Sequence, residues 1–303
     1  MYRYNRILVG LDLTGIDDVI IQYVDFLCSF FEVDKVYFFH VARTFELPSG
    51  ILEKYPDLIA PIDETIEKQL KDKIEKNFSS NVEYSIEVKE GNPTDQILRW
   101  TDFKEIDLVV LGKKEKLKGD GVLPGKLVKT SHCSVLFIPE SAKPIINKIM
   151  LPVDFSKTGE MTVEVGTKIQ NKLGCSLLFQ HSYHVPTGYH ASGKSYEEFA
   201  TLMCEHAEKD LKKFIKPSGL STDKIAINLS LDEDSDPATQ IIQLSISEQV
   251  DLIIIGSKGR SDFASILIGS VAEKICKLEE KAPVLVVKNK QQNMGFLEAL
   301  LKI

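Results

Sequence analysis

An internal duplication constrains this 303-residue chain more than any other feature. The run NRILVGLDL, Asn5 to Leu13, is matched by NKIMLPVDF, Asn147 to Phe155, and further apolar landmarks recur in the same order. The period is too long for a solenoid, whose repeats span about 20 to 50 residues. The sequence therefore predicts two related domains, 1-141 and 142-303, with a seam near Pro139 to Pro144.

Each copy alternates short apolar runs with helix signals. Leu108 to Leu111 and Leu252 to Ile255 are continuously apolar, as expected of parallel strands that are covered on both faces. Asn92 and Asp236 each stand before a proline, the pattern of an N-cap followed by the first helical residue. The predicted fold class is α/β, with two tandem doubly wound domains that each contain a five-stranded parallel sheet.

Composition excludes several functional classes. The net charge of −7 disfavours non-specific nucleic-acid binding, which depends on many Lys and Arg contacts to phosphates. No apolar stretch approaches the roughly 18 residues of a membrane span. The five cysteines include no C-x-x-C pair and are expected to be reduced thiols, so the predicted compartment is the cytoplasm.

Candidate ligand-binding residues in the second copy stand where its parallel strands end. Asp154 follows the first apolar strand, and His181 and Ser182 lie at the end of the second. Gly256 ends the fourth strand. Open parallel sheets bind ligands at the carboxyl ends of strands, at the point where the strand order reverses. These residues are therefore the expected lining of a ligand site.

The glycines after the fourth strand suit a phosphate group. Gly256 and Gly259 permit a sharp turn and a close backbone approach. Gly269-Ser270 then opens a helix, whose free N–H groups and positive dipole end attract anions. Lys258 and Arg260 add positive charge to the loop. An alternative is that the glycines only form turns.

Asp154 after a strand, together with G-x-x-G-(nine residues)-G-S before a helix, resembles the universal stress protein family. The tandem layout resembles the two-domain members of that family, whose fold is Rossmann-like and similar to the adenine nucleotide alpha hydrolases. The resemblance implies a stress-response regulator or sensor with an ATP pocket, often accompanied by a divalent metal such as Mg²⁺. The implied nucleotide-binding residues are Asp154, His181, Ser182, Gly256, Ser257, Gly259, Arg260, Gly269, Ser270 and Val271.

The first copy departs from this pattern. Asp12 and Gly112 are retained, but Glu115 replaces the second glycine and Gly125 is followed by Lys126. A carboxylate at the phosphate position repels the ligand in a low-dielectric site. The next helix is also expected to be shorter than its counterpart. The first domain is therefore predicted to bind ATP weakly or not at all.

The string GYHASGKS, residues 188–195, satisfies the phosphate-loop pattern G-x-x-x-x-G-K-[ST]. A true phosphate loop follows a strand directly, whereas here Pro186 and its neighbours intervene. The favoured interpretation is a flexible loop that caps a helix, with Ser195 and Glu198 spaced as a capping box. Another interpretation has the loop fold over the nucleotide and lend Lys194 to its phosphates.

No set of residues resembling a catalytic centre accompanies the predicted pocket, so the expectation is a non-enzyme with at most slow ATP hydrolysis. His181, His184 and His190 lack carboxylate or cysteine partners at ligand spacing, so no metal site is predicted from protein side chains. The alternatives are an adenylating enzyme and a nucleotide-independent scaffold. The protein partner is unknown, and a homodimer remains open, with the tail Phe296 to Ile303 as a candidate packing surface.

Overall fold

The computed structural model describes residues 3–44, 62–114, 122–220, 225–259 and 268–290. The chain divides into two compact units, Arg3–Pro144 and a second that contains Ile145–Ile303. The domain ranges 1-141 and 142-303 stay predictions, because each includes residues outside the described ranges. Within those ranges, no helix is both long enough and apolar enough to cross a membrane.

The first unit is a doubly wound α/β domain with helices following most of its strands. Its five strands pair in parallel in the order β3-β2-β1-β4-β5. Its elements are β1 (Arg6–Leu11), α1 (Ile16–Cys28), β2 (Lys35–Ala42), α2 (Ile62–Asn77), β3 (Glu83–Glu90), α3 (Pro93–Phe103), β4 (Leu108–Lys113), α4 (Val122–Thr130) and β5 (Ser134–Pro139).

The second unit repeats this topology, with its strands in the order β8-β7-β6-β9-β10 and all described pairs parallel. The predicted fold class is thereby confirmed. Its elements are β6 (Lys148–Pro152), α5 (Lys157–Leu173), β7 (Ser176–Tyr183), α6 (Tyr196–Ile215), β8 (Ile225–Leu231), α7 (Pro237–Ser247), β9 (Leu252–Gly256), α8 (Ser270–Leu278) and β10 (Val284–Val287), with 3-10 turns at Thr187–Ser192 and Lys216–Ser218.

Local sequence signals account for most helix ends. The Asn92 side chain accepts a hydrogen bond from the Asp95 N–H at the start of α3, and Asp236 caps α7 in the same way. Gly174 ends α5 in the left-handed region, with a φ of 72°. The predicted caps are therefore confirmed, and they satisfy amide groups that would otherwise lack partners at the helix ends.

The prediction about the helix after the degenerate loop was wrong. Helices α4 and α8 have the same length, nine residues each. Helix α4 begins at Val122, so Gly125 lies within its first turn and does not precede it. The alignment on glycine failed because Gly125 lies inside the helix, whereas Gly269 is the N-cap of α8.

The central strands of both units are buried on both faces. Every residue of Leu108 to Leu111 and of Leu252 to Ile255 is at most 6% exposed. Burial of such runs removes apolar surface from water at about 25 cal/mol per Å², the main term that favours folding. In each unit the strand order reverses beside the first strand, between β1 and β4 or between β6 and β9.

Candidate functional site

The reversal between β6 and β9 brings together the predicted site residues of the second unit. Asp154 lies two residues beyond the end of β6, and Gly256 is the last residue of β9. A Cβ added at Gly259 would lie 2.8 Å from Asp154 Oδ2, so the glycine loop passes directly against the Asp154 carboxylate. Any side chain at this position would displace that carboxylate.

Gly256 is required by the packing of β9 against the start of α5. A Cβ there would lie 2.9 Å from Thr158 Oγ1 and 3.2 Å from the Thr158 carbonyl carbon. The first distance is shorter than real Cβ contacts, and the second is tighter than most. The glycine therefore allows the end of β9 and the first turn of α5 to lie in direct contact.

The amino end of α8 lies against the same glycine loop. The Gly269 N–H donates a hydrogen bond of 2.6 Å to the carbonyl of Ser257, a buried residue whose own N–H is bonded to Val287 O. The N-cap of α8, Gly269, has no side chain to offer a capping bond, and Ser270, the first residue of the helix, is exposed. The first N–H groups of this helix thus lie next to the glycine loop. This is the arrangement that binds anions at helix amino ends.

Two hydroxyl groups from the start of α5 anchor the loop. Thr158 Oγ1 donates a hydrogen bond to the carbonyl of Lys258, and Ser156 Oγ lies 3.4 Å from the same oxygen. Ser156 also caps α5, accepting a bond from the Gly159 N–H. Sequence analysis missed Thr158. Extending the alignment of the two halves by a few residues would have set it against Ile16 in the first copy.

His181 is held by side-chain contacts on the β6 side of β7. Its Nδ1–H donates to the carbonyl of Val153 at 2.8 Å, and its ring lies 4.3 Å from the Phe155 ring. Phe155 has a φ of 63°, an uncommon left-handed conformation for a bulky residue. This turn follows Asp154 directly and therefore sets the direction in which the chain leaves the site.

The backbone of Ser182 faces the open side of the sheet. Val153 N–H donates to Gln180 O on the β6 side, whereas Asp232 N–H donates to Tyr183 O on the β8 side. Because backbone groups alternate along a parallel strand, the N–H and C=O of Ser182 point to the side where β6 has already ended. Its hydroxyl donates to Gln240 Oε1 at 2.9 Å.

In the first unit, the carboxylate that corresponds to Asp154 is Asp12, and a lysine of the same unit neutralises it. Asp12 forms an ion pair with Lys114, whose counterpart in the duplicated chain is Lys258, and also accepts bonds from Thr14. Burial opposes ionisation of Asp12, but the Lys114 and Thr14 hydrogen bonds outweigh it and lower the pKa of Asp12 below its usual value. A second cation, Lys73, pairs with the buried Asp17 beside it.

The GYHASGKS segment does not follow a strand directly. Strand β7 ends at Tyr183, and Thr187–Ser192 forms a 3-10 turn. Ser195 caps α6, and its reciprocal hydrogen bonds with Glu198 confirm the predicted capping box. The segment therefore lacks the strand-loop-helix context of a phosphate loop. The Lys194 side chain is exposed.

Some predicted features fall outside the described ranges. Arg260, Glu115 and the tail Phe296 to Ile303 are among them, so their roles stay predictions. Val271 is half-buried in the first turn of α8, one residue after Ser270. In the part of the chain that the structure describes, no three His, Cys, Asp or Glu side chains are arranged to hold a metal ion.

The topology and the repeated strand-end geometry define a tandem, doubly wound α/β protein. The family model "Universal stress protein family" matches residues 3–139 and again 146–288, and the chain belongs to this family. The universal stress proteins MJ0577 and MJ0531 of Methanocaldococcus jannaschii are each 28% identical to it. The first match spans 47% of this chain and 95% of the relative, and the second spans 50% and 87%.

A solved structure covers both units. A universal stress protein from Archaeoglobus fulgidus aligns with a TM-score of 0.64 and 15% sequence identity, over 95% of this chain and 99% of that chain. At 15% sequence identity, this similarity shows that the fold is shared. It agrees with the tandem arrangement of two units that the duplicated sequence predicts.

Proposed function

We propose that the second unit binds ATP at the strand-order reversal and that the protein acts as a stress-response regulator or sensor. The observation that carries this proposal is that Gly259 lies directly against both the Asp154 carboxylate and the amino end of α8. The loop leaves room for a ligand to approach the backbone, and the helix end supplies uncapped donors for its phosphates.

Each part of the nucleotide has a matching group. The phosphates meet the N–H groups of Ser270 and Val271, and Lys258 and Arg260 of the loop offset their charge. The Asp154 carboxylate accepts hydrogen bonds from ribose hydroxyls, because an ionised carboxylate only accepts. The Ser182 backbone, beside His181, presents one donor and one acceptor to the edge of the adenine base.

A magnesium ion fits this donor set. Mg²⁺ prefers oxygen ligands and usually combines one or two protein groups with phosphate oxygens and waters. The Asp154 carboxylate and the Ser270 hydroxyl would supply oxygen ligands. When bound, the ion would neutralise part of the triphosphate charge.

The proposal assigns binding and signalling to the protein, without a catalytic residue. Ligand binding would favour one conformation of the loop after Gly256, and a protein partner would distinguish the two states. The cytoplasm is the proposed compartment, and the five cysteines, which form no disulfide within the described ranges, suit its reducing conditions.

Isothermal titration calorimetry with MgATP tests the site. The full chain should bind one ATP, Asp154→Ala should weaken binding by at least about tenfold, and Asp12→Ala should leave the affinity unchanged. Asp12→Ala is the matched control, because it removes the aligned carboxylate from the first unit. Two equivalent ATP sites, or loss of binding only in Asp12→Ala, would contradict the proposal.

Two further measurements separate the rival functions. Equal binding of a captured partner with and without ATP would favour a scaffold. Pyrophosphate release on addition of a carboxylic acid substrate would favour an adenylating enzyme. The regulator proposal expects ATP to change partner affinity and expects no pyrophosphate.

A further inference from the structure

The hydroxyl of Thr158 makes the shorter of two hydroxyl contacts that reach the central peptide of the glycine loop from the start of α5, the other being that of Ser156. It donates to the carbonyl of Lys258 across 100 residues of sequence. A hydroxyl has a single proton, so Ser156, 3.1 Å from Thr158 Oγ1, donates in the contact between the two side chains. The two hydroxyls thus form a short chain that ends on the loop carbonyl.

Fixing this carbonyl also fixes the next amide. In a trans peptide the C=O of one residue and the N–H of the next point in opposite directions. With the Lys258 carbonyl turned toward α5, the Gly259 N–H points away from α5. On that side a Cβ added at Gly269 would lie 3.7 Å from the Gly259 nitrogen. The Gly259 amide therefore joins the donors at the amino end of α8.

The first unit provides a comparison for Thr158 within the same chain. The residue that corresponds to Thr158 is Ile16, which has no hydroxyl, and a Cβ on Gly112 would lie 2.7 Å from Ile16 Cδ1. In that unit Lys114 forms an ion pair with Asp12. The threonine is thus present in the unit with the intact glycine motif and absent from the degenerate one.

We propose that Thr158 is a positioning residue for phosphate binding, which acts by holding the Lys258 carbonyl so that the Gly259 N–H faces the ligand. This proposal rests on the proposed ATP site and adds a residue to it. It predicts that the hydroxyl, and not the methyl group, determines nucleotide affinity at this position.

The test compares three substitutions by calorimetry with MgATP and by thermal unfolding. Thr158→Val keeps the shape and removes the hydroxyl, and it should raise the Kd for ATP about tenfold. Thr158→Ser keeps the hydroxyl and should stay within about twofold of the wild type. The control is Thr162→Val, because Thr162 is buried in the same helix and donates only to Gly159 O. It should alter stability without altering affinity.

A readout without nucleotide separates failure of this proposal from failure of the ATP site. The Gly269 amide, bonded to Ser257 O, reports the order of the loop through hydrogen exchange. Its exchange should accelerate several-fold in Thr158→Val and remain unchanged in Thr158→Ser and Thr162→Val. If the wild type binds no ATP, the ATP proposal fails, and the exchange rates alone decide whether Thr158 orders the loop.

Two results would overturn the proposal. The first is wild-type affinity and exchange in Thr158→Val. The second is an equal loss of affinity in Thr158→Val and Thr158→Ser, which would assign the effect to packing of the methyl group. Thr158→Ala replaces the valine variant if that variant does not fold, and the same comparison with Thr158→Ser then applies.

Discussion

Lys114 forms an ion pair with Asp12 at the position where the second unit brings Gly259 against Asp154. The two carboxylates follow the first strand of their units and occupy matching places in the duplicated sequence. Asp12 pairs with a lysine of its own unit, whereas Asp154 lies against Gly259, which has no side chain. This difference supports the proposal that ATP binds in the second unit and not in the first.

Lys114→Met should raise the pKa of Asp12, because burial disfavours the charged carboxylate and the hydrogen bond that offsets burial is lost. NMR titration of the carboxyl group measures this directly. Asp236 serves as an internal control, since its own bonds to Lys274 and Thr239 hold its pKa at about 2 and should be unaffected. An unchanged Asp12 pKa would show that the ion pair does not form in solution.

The same pair sets a pH dependence of stability. The pKa of Asp12 is lower in the folded state, so its stabilisation is present above the usual carboxylate range and is lost as the pH falls through the folded value. Because the pair is partly exposed, Lys114→Met should reduce the free energy of unfolding by only about 0.5 kcal/mol at neutral pH. Urea denaturation at pH 7 and at pH 3 measures it. A larger loss at pH 3 would contradict this account.

Gly259→Ala should weaken ATP binding by at least about tenfold, on the order of 1.4 kcal/mol. The added Cβ would lie 2.8 Å from Asp154 Oδ2, so the carboxylate must move. Gly188→Ala is the control, because nothing lies within 4 Å of a Cβ there and the residue belongs to the GYHASGKS segment. Fluorescence or calorimetric titration compares the two. Equal affinities in both variants would remove Gly259 from the site.

Ser195→Ala should lower the free energy of unfolding by about 1 kcal/mol, because it removes the cap of α6. The affinity for ATP should not change, and Lys194→Ala should also bind ATP like the wild type. Thermal unfolding and calorimetry provide the two measurements. A large loss of ATP affinity in either variant would restore the phosphate-loop interpretation of this segment.

Sequence alone predicted the features that depend on local signals. The duplicated runs predicted two parallel sheets, and glycine spacing located Gly256, Gly259 and Gly269 at one strand-order reversal. It did not reveal Thr158, because the bond to Lys258 joins residues far apart in the chain. Nor did it reveal that Lys114 reaches Asp12, since pairing depends on how the loop places the side chain.

The incorrect alignment of Gly125 with Gly269 has a related cause. Gly125 and Lys126 matched the Gly-Ser pair of the second copy in order, but a glycine within a helix and a glycine before one have the same sequence letter. Capping geometry, which distinguishes them, depends on the preceding loop. Helix starts that carry an Asn or Asp cap before proline were predicted correctly because the signal is contained in adjacent residues.

A crystal structure of the full chain grown in excess MgATP tests the central claim most directly. We predict one nucleotide per chain, with its phosphates on the N–H groups of Gly259, Ser270 and Val271 and its ribose beside Asp154. A nucleotide bound instead beside Asp12 or at residues 188–195, or a second unit whose pocket is empty or filled by protein side chains, would contradict the account.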